Sequence, residues 1–288
     1  MIAAARDCER HLPAALSNIA ALAKCYDGAR FVFAVSDSRD RTEGRLRQWI
    51  GQARNGSVLQ LGALEPTLPA RTMRIAAARN ACLDELQRSG ERFDHLLVVD
   101  LDDVLRHPVS CDAFRRASAW LDEAEDRVAV TANSTPRYYD IWALRHPRWC
   151  PHDVWHLIWN RPATCSFEEV LFREVFCRQI ALPAHLPPIP VLSSFGGLAL
   201  YKAESAMAAR YRGIDEAGRP VCEHVSFNRE LTRTGGRLFI FPSLIVQAGA
   251  DHIYEPWQFR PWWEMTMRGR RLVDRVWPPW RQYVAPVH

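Results

Sequence analysis

Leu96-Leu97-Val98-Val99-Asp100-Leu101-Asp102-Asp103 is the stretch that decides the fold. Its first four residues are uniformly apolar, and Val98 and Val99 are β-branched. With His95 this predicts a strand over 95–99 that is buried on both faces, as in a parallel sheet. Where the strand stops, three carboxylates fall within four residues. Crowded carboxylates repel unless a cation neutralises them. Hard oxygen ligands suit Mg²⁺ or Mn²⁺. An ion held there can bridge a pyrophosphate and take up charge developing on a leaving nucleoside diphosphate. The same residues also suit a helix N-cap followed by a solvated turn.

Working outward, strand and helix patterns alternate on both sides. Upstream, strands are expected at Ile2–Ala5, Phe31–Val35 and Val58–Leu61. Helical spacing marks His11–Cys25, with Leu12, Leu16, Ile19 and Leu22 on one face, then Thr42–Ile50 and Thr72–Gln87. Downstream come a helix over Cys111–Glu125 and a strand over Arg127–Ala132. This alternation predicts a mostly parallel sheet with helices on both faces. Ligands of such sheets sit beyond the carboxyl ends of the strands. The turns at Arg6-Asp7, Ser36–Asp40 and Asp100–Asp103 would share that edge. Asp37 suits ribose hydroxyls or a base, whereas Asp40 and Thr42 also suit the cap of the next helix.

The second half has a different texture. Residues 135–190 are rich in Trp, His, Pro and Arg, with weak periodicity, and Pro183–Pro190 holds four prolines. A long excursion building a pocket or lid is expected here. Regular structure resumes at Val191–Tyr201, where Gly196-Gly197 inside a β pattern predicts close backbone approach. A helix over Val221–Thr232 and a strand over Leu238–Val246 follow. Glu223-His224 opens that helix, where a carboxylate is also favoured by the helix dipole alone.

A strand ending in Arg6-Asp7, the turn SDSRDRT at 36–42, Arg79-Asn80 on a helix and VVDLDD at 98–103 resemble a nucleotide-sugar glycosyltransferase of the GT-A fold. More narrowly, YYDIWALR at 138–145, FGGLALY at 195–201 and CEHVSFN at 222–228 resemble the capsule-associated α-1,3-mannosyltransferase family and its bacterial relatives. The resemblance runs over roughly residues 2–255. It implies an α/β, Rossmann-like GT-A domain over 1–255, with a nucleotide-sugar half at 1–134 and an elaborated acceptor half at 135–255. It implies a GDP- or UDP-sugar donor, a glycan or lipid-linked glycan acceptor, and Mn²⁺ or Mg²⁺.

In that resemblance Asp102 is the main metal ligand, joined by Asp100 and the late His252, which is otherwise a surface loop histidine. Asp100 also faces the donor ribose or sugar. Arg6, Asp7 and Asp37 hold the nucleoside, and Arg79 faces the phosphates or sugar. Tyr139, Asp140, Trp142, Gly196 and Gly197 lie on the acceptor side, where core packing is the alternative for the aromatic rings. Glu223 and His224 stand at the catalytic position. An inverting enzyme would use Glu223 as base; a retaining one would use it to position the acceptor or offset positive charge on the sugar. The α-mannosyl resemblance favours retention. A sugar-1-phosphate nucleotidyltransferase would carry a Gly-rich, Lys-containing N-terminal loop, which is lacking. A catalytically silent glycan-binding protein of this fold stays open.

Charge bears on location more than on chemistry. The 288 residues carry a net +4, from 37 basic and 33 acidic side chains. Residues 256–288 hold six Arg, two acids and five of the eleven Trp, so residues 1–255 are neutral. A neutral body excludes a general nucleic-acid binder. The Trp/Arg tail suits either peripheral membrane contact or packing on the domain. No apolar run reaches the ~18 residues of a membrane span. Met1–Arg10 has no apolar signal core, and none of the eight Cys forms a CxxC pair. Reduced thiols, cytoplasmic placement and, for a lipid-linked acceptor, the inner face of the membrane are expected.

Overall fold

The apolar runs become one sheet. The computed structural model describes residues 1–52, 54–249 and 252–253. The strands are β1 (Ile2–Ala5), β2 (Phe31–Val35), β3 (Gly56–Gln60), β4 (His95–Val99), β5 (Arg127–Thr135), β6 (Ile189–Val191), β7 (Leu198–Lys202) and β8 (Arg237–Gln247). They lie in the order β3-β2-β1-β4-β7-β5-β8-β6. The β1–β2, β2–β3, β1–β4 and β5–β8 pairs are parallel. β7 is antiparallel to both β4 and β5, and β6 is antiparallel to β8. The sheet is therefore mixed, with an inverted strand set into its parallel framework. Its geometry still directs the carboxyl ends of β1, β2, β4, β5 and β8 to one edge, where the amino end of β7 also lies.

Alternation along the strands makes two cores. Ile2, Val32, Ala34, Leu96 and Val98 face one cluster; Ala3, Phe31, Phe33, Val35, Leu97 and Val99 face the other. On the first face lie α3 (Arg71–Arg88) and α8 (Glu223–Arg233), and on the second α1 (Leu12–Ala23), α2 (Thr42–Ile50) and α4 (Cys111–Asp122). Leu12, Ile19, Leu22 and Leu46 are at most 1% exposed, so each contributes about 1.5–3 kcal/mol of burial. Such two-sided burial holds the β4 edge rigidly and gives the acidic turn a firm base.

The excursion over 135–190 is more ordered than its composition suggests. It contains α5 (Val154–Trp159) and α6 (Phe167–Glu174), N-capped by the side chains of Asp153 and Ser166. Helices of six and eight residues are too short to show periodicity; their caps are the legible signal. Tyr138, Leu144 and Trp149 are fully buried, so this part adds to the core and is not simply a surface lid. Pro183–Pro190 is non-helical and feeds β6. The run 191–201 divides into β6 and β7 because Gly196 and Gly197 both turn at positive φ, +66° and +81°. The remaining helix is α7 (Ala203–Ala208).

All eight cysteines are free thiols, four of them buried. No described helix is long and apolar enough to cross a membrane. The Trp/Arg tail at 256–288 lies outside the described residues, as do Tyr254 and Glu255 of the expected domain.

Candidate functional site

Two turns meet where β1 and β2 end. The Arg39 amide donates to Asp7 Oδ1 at 2.6 Å, and the Asp7 amide donates to Ser38 Oγ at 3.1 Å. Asp40 and Thr42 accept from the amides of Glu9 and Cys8, so they brace this junction. Asp7 and Asp37, at φ +48° and +53°, are the non-glycine residues with positive φ among the described residues. Asp tolerates this region better than most residues, but at some cost in strain, of order 1–3 kcal/mol. Asp37 Oδ1 accepts from the Glu65 amide at 3.0 Å, while its buried Oδ2 has no partner. The Glu65 N–H holds the Asp37 carboxyl below its ordinary pKa. Glu65 also meets Arg6 at 3.7 Å and Arg74 at 3.9 Å. Arg6 and Asp7 stay exposed at the rim.

Arg79 forms the hub beneath the edge. It is 3% exposed, and one guanidinium nitrogen donates to Asp100 Oδ1 at 2.9 Å. The other donates to the Glu223 carboxylate and to His224 Nε2. The guanidinium lies 5.0 Å from the centre of the Phe195 ring and 5.6 Å from that of Tyr211. Burial works against its charge, but Glu223 and Asp100 more than offset this and raise its pKa. α3 supplies the arginine and the first turn of α8 supplies Glu223 and His224. The hub thus joins two helices to the end of β4.

His224 is an acceptor in this arrangement. Burial first, and Arg79 second, depress its pKa well below 6.5. It is 2% exposed and stacks on Phe195 at 3.7 Å. Accepting at Nε2 places its proton on Nδ1, which is buried without a partner. Stability held by neutral His224 is complete above about pH 6.5 and falls as the unfolded chain takes up the proton, by about 1.4 kcal/mol per pH unit. Urea midpoints should therefore decline less steeply from pH 6.5 to 5 in His224→Gln than in the wild type. Parallel declines would show that His224 protonates while folded.

The acidic turn has two parts. The Asp100 amide donates to the Gly197 carbonyl at 3.0 Å, and its side chain turns to Arg79. Burial and then Asp102 push the Asp100 carboxyl up to about 7, with Arg79 acting in the opposite direction. Asp102 caps the short 3₁₀ turn Asp103–Leu105, its Oδ1 accepting from the Val104 amide at 3.2 Å. Burial raises its pKa as well. β8 runs to the same edge and returns His252. One donor atom each from Asp102, Asp103 and His252 lie within 4.8 Å of one another. That is roughly twice a metal–oxygen bond of ~2.0–2.4 Å, and carboxylate with imidazole suits Mn²⁺. The donor set fits a divalent ion. Of the expected ligands Asp100, Asp102 and His252, the last two lie together with Asp103, while Asp100 turns to Arg79. Asp103 packs against the backbone of Gly249, where a Cβ would lie 1.8 Å from its carboxylate.

The residues expected on the acceptor side mostly shape this wall. Tyr139 stacks on His252 with centroids 5.0 Å apart. Asp140 accepts from the amides of Gly196 and Ala143, and burial raises its pKa. Trp142 meets Trp155 edge-on at 5.9 Å, and its indole N–H is buried without a partner. A Cβ on Gly196 would lie 2.5 Å from the Ala132 carbonyl, and one on Gly197 2.8 Å from Val104. The paired glycines thus admit the protein's own backbone and side chains. Asp103 was visible within the acidic motif, but Glu65, Gln179 and Gly249 carried no sequence signal.

No protein-family model and no curated protein matches this chain. Among solved structures it is similar to TarS of S. aureus, with TM-score 0.49, 12% identity, and 86% of this chain aligned to 59% of that one. It is also similar to the mannosyltransferase PcManGT from Pyrobaculum calidifontis in complex with GDP-Man and Mn²⁺: TM-score 0.46, 14% identity, 86% of this chain and 55% of that one. A third is the nucleoside-diphosphate-sugar pyrophosphorylase from Vibrio cholerae RC9: TM-score 0.43, 10% identity, 88% and 93%. The chain spans less than two thirds of the length of the first two.

Proposed function

We propose that the chain is a metal-dependent glycosyltransferase of GT-A architecture, moving a sugar from a GDP- or UDP-sugar to a glycan or lipid-linked glycan. The observation that carries this reading is the Asp102, Asp103 and His252 donor set at the β4 edge. Bound there, Mn²⁺ or Mg²⁺ supplies Lewis-acid stabilisation of the diphosphate leaving group. Asp37, with one free buried oxygen, and the adjoining Asp7 and Arg6 are suited to the nucleoside. Arg79 fixes Asp100, which then faces the donor ribose or sugar.

Glu223 is committed to Arg79, and this pairing favours a fixed anion beside the reacting sugar over a free base. That agrees with retention, which the α-mannosyl resemblance of residues 138–145 and 222–228 also suggests. The proposed setting is cell-surface polysaccharide assembly at the cytoplasmic face of the membrane, with the Trp/Arg tail supplying contact. The test is release of nucleoside diphosphate from a panel of UDP- and GDP-sugars with Mn²⁺ and an oligosaccharide acceptor pool. One donor should be consumed, EDTA should stop it, and NMR of the product should show the donor's anomeric configuration. Inversion would return Glu223 to the role of base. No consumption of any donor would favour a silent glycan-binding protein.

A further inference from the structure

His252 reaches the acidic turn from the far end of β8, where the end of a strand does not by itself fix a side chain. Two features hold the approach. The Ala248 amide donates to the Thr135 carbonyl at 3.0 Å, and the His252 amide donates to the Gly249 carbonyl at 3.0 Å. The third hold comes from elsewhere in the chain. Gln179 Nε2 donates to the His252 carbonyl at 2.8 Å and to the Tyr139 carbonyl at 3.2 Å. Both acceptors are carbonyls, so the amide must present its NH₂ group, one hydrogen to each. Gln179 itself is 3% exposed, and its bonds to the two carbonyls are part-buried.

The glutamine itself is firmly mounted. The Trp149 indole donates to the Arg178 carbonyl at 2.7 Å, and Arg178 Nη1 donates to the Trp149 carbonyl at 2.8 Å. Trp149 is fully buried. The Tyr138 amide donates to the Ile180 carbonyl at 2.8 Å. The backbone on either side of Gln179 is thereby locked to the segment that carries Tyr139. One side chain then ties Tyr139 to His252, whose rings stack, and leaves His252 Nε2 3.9 Å from Asp103 Oδ1.

We propose that Gln179 is a positioning residue: its double donation clasps the His252 backbone to the Tyr139 segment and so sets the imidazole over Asp102 and Asp103 for a divalent cation. The inference rests on the reading of that trio as a cation site. Partners outside the ligand shell typically change metal affinity by 10–100-fold.

The experiment is Mn²⁺ titration of the full chain, followed by EPR of the free ion. The proteins are wild type, Gln179→Leu, His252→Ala and the double variant, each checked for folding by circular dichroism. Gln179→Leu should weaken Mn²⁺ binding by about 10-fold or more. In the His252→Ala background the same change should add almost nothing, because the clasp acts only through His252. A purely structural glutamine would lower stability alike in both backgrounds and leave the cycle additive. Gln179→Met, of similar length but uncharged and with no donor, is the second variant if Leu at 179 prevents folding. Wild-type affinity in a folded Gln179 variant, or additive losses, overturns the clasp while leaving the cation site standing. No Mn²⁺ binding by the wild type overturns the cation reading and the clasp with it.

Discussion

Asp102→Asn should abolish the response to Mn²⁺ and lower turnover by at least about 10²–10³-fold, while the protein stays folded. Asn keeps the shape and the side-chain oxygen that accepts from the Val104 amide, so the 3₁₀ turn retains its cap. What is lost is one negative charge beside Asp103 and Asp100. Without metal that loss is a relief, since burial and neighbouring acids already push the Asp100 carboxyl up to about 7. The metal-free melting temperature should therefore hold or rise slightly, while the Mn²⁺-induced increase disappears. Opposite signs in one variant separate a cation site from a structural acid. A variant that loses stability without metal yet keeps its Mn²⁺ response would assign Asp102 to capping alone.

Arg79→Met should be the most destabilising single change at the site. It leaves Glu223, 5% exposed, without its counter-charge, and removes one from Asp100. Breaking a buried pair from one side costs about 3–5 kcal/mol. In a domain of this size that lowers the melting temperature by roughly 10 °C. Lys is a poor rescue, because its single ammonium cannot span Asp100, Glu223 and His224 at once. Glu223→Gln in the Arg79→Met background should restore part of the loss, since the unpaired charge is then gone. The check is a double-mutant cycle in urea. A loss below about 1 kcal/mol for Arg79→Met would mean that the carboxylates are solvated and that the hub does not join α3 to α8.

The parts of the fold legible in the sequence are those set by short-range pattern. The runs ending at Ala5, Val35 and Val99 each close on a polar turn, and all three end where the pattern breaks. Neighbours along the chain decide such features. The orientation of β7 is different: Gly196-Gly197 marks a close backbone approach, but no local pattern records that the strand runs antiparallel or that Gly196 meets the Ala132 carbonyl. At the site, Asp100 and Asp102 stood out because they adjoin a buried strand. That Asp100 turns to Arg79 while Asp103 joins His252 depends on α8 and the end of β8, more than a hundred residues away. Gln179 carries no motif at all, because its role consists of two backbone carbonyls brought to it by folding.

The most direct test of the central claim is calorimetric titration of UDP and of GDP into the purified chain, with Mn²⁺ and with EDTA. The site described here predicts that one nucleoside diphosphate binds with Mn²⁺ present and fails to bind in EDTA. It also predicts no binding by Asp102→Asn under either condition. Binding of equal strength with Mn²⁺, in EDTA and in Asp102→Asn would contradict a metal-bridged diphosphate at the end of β4, and so would a wild type that binds neither nucleotide.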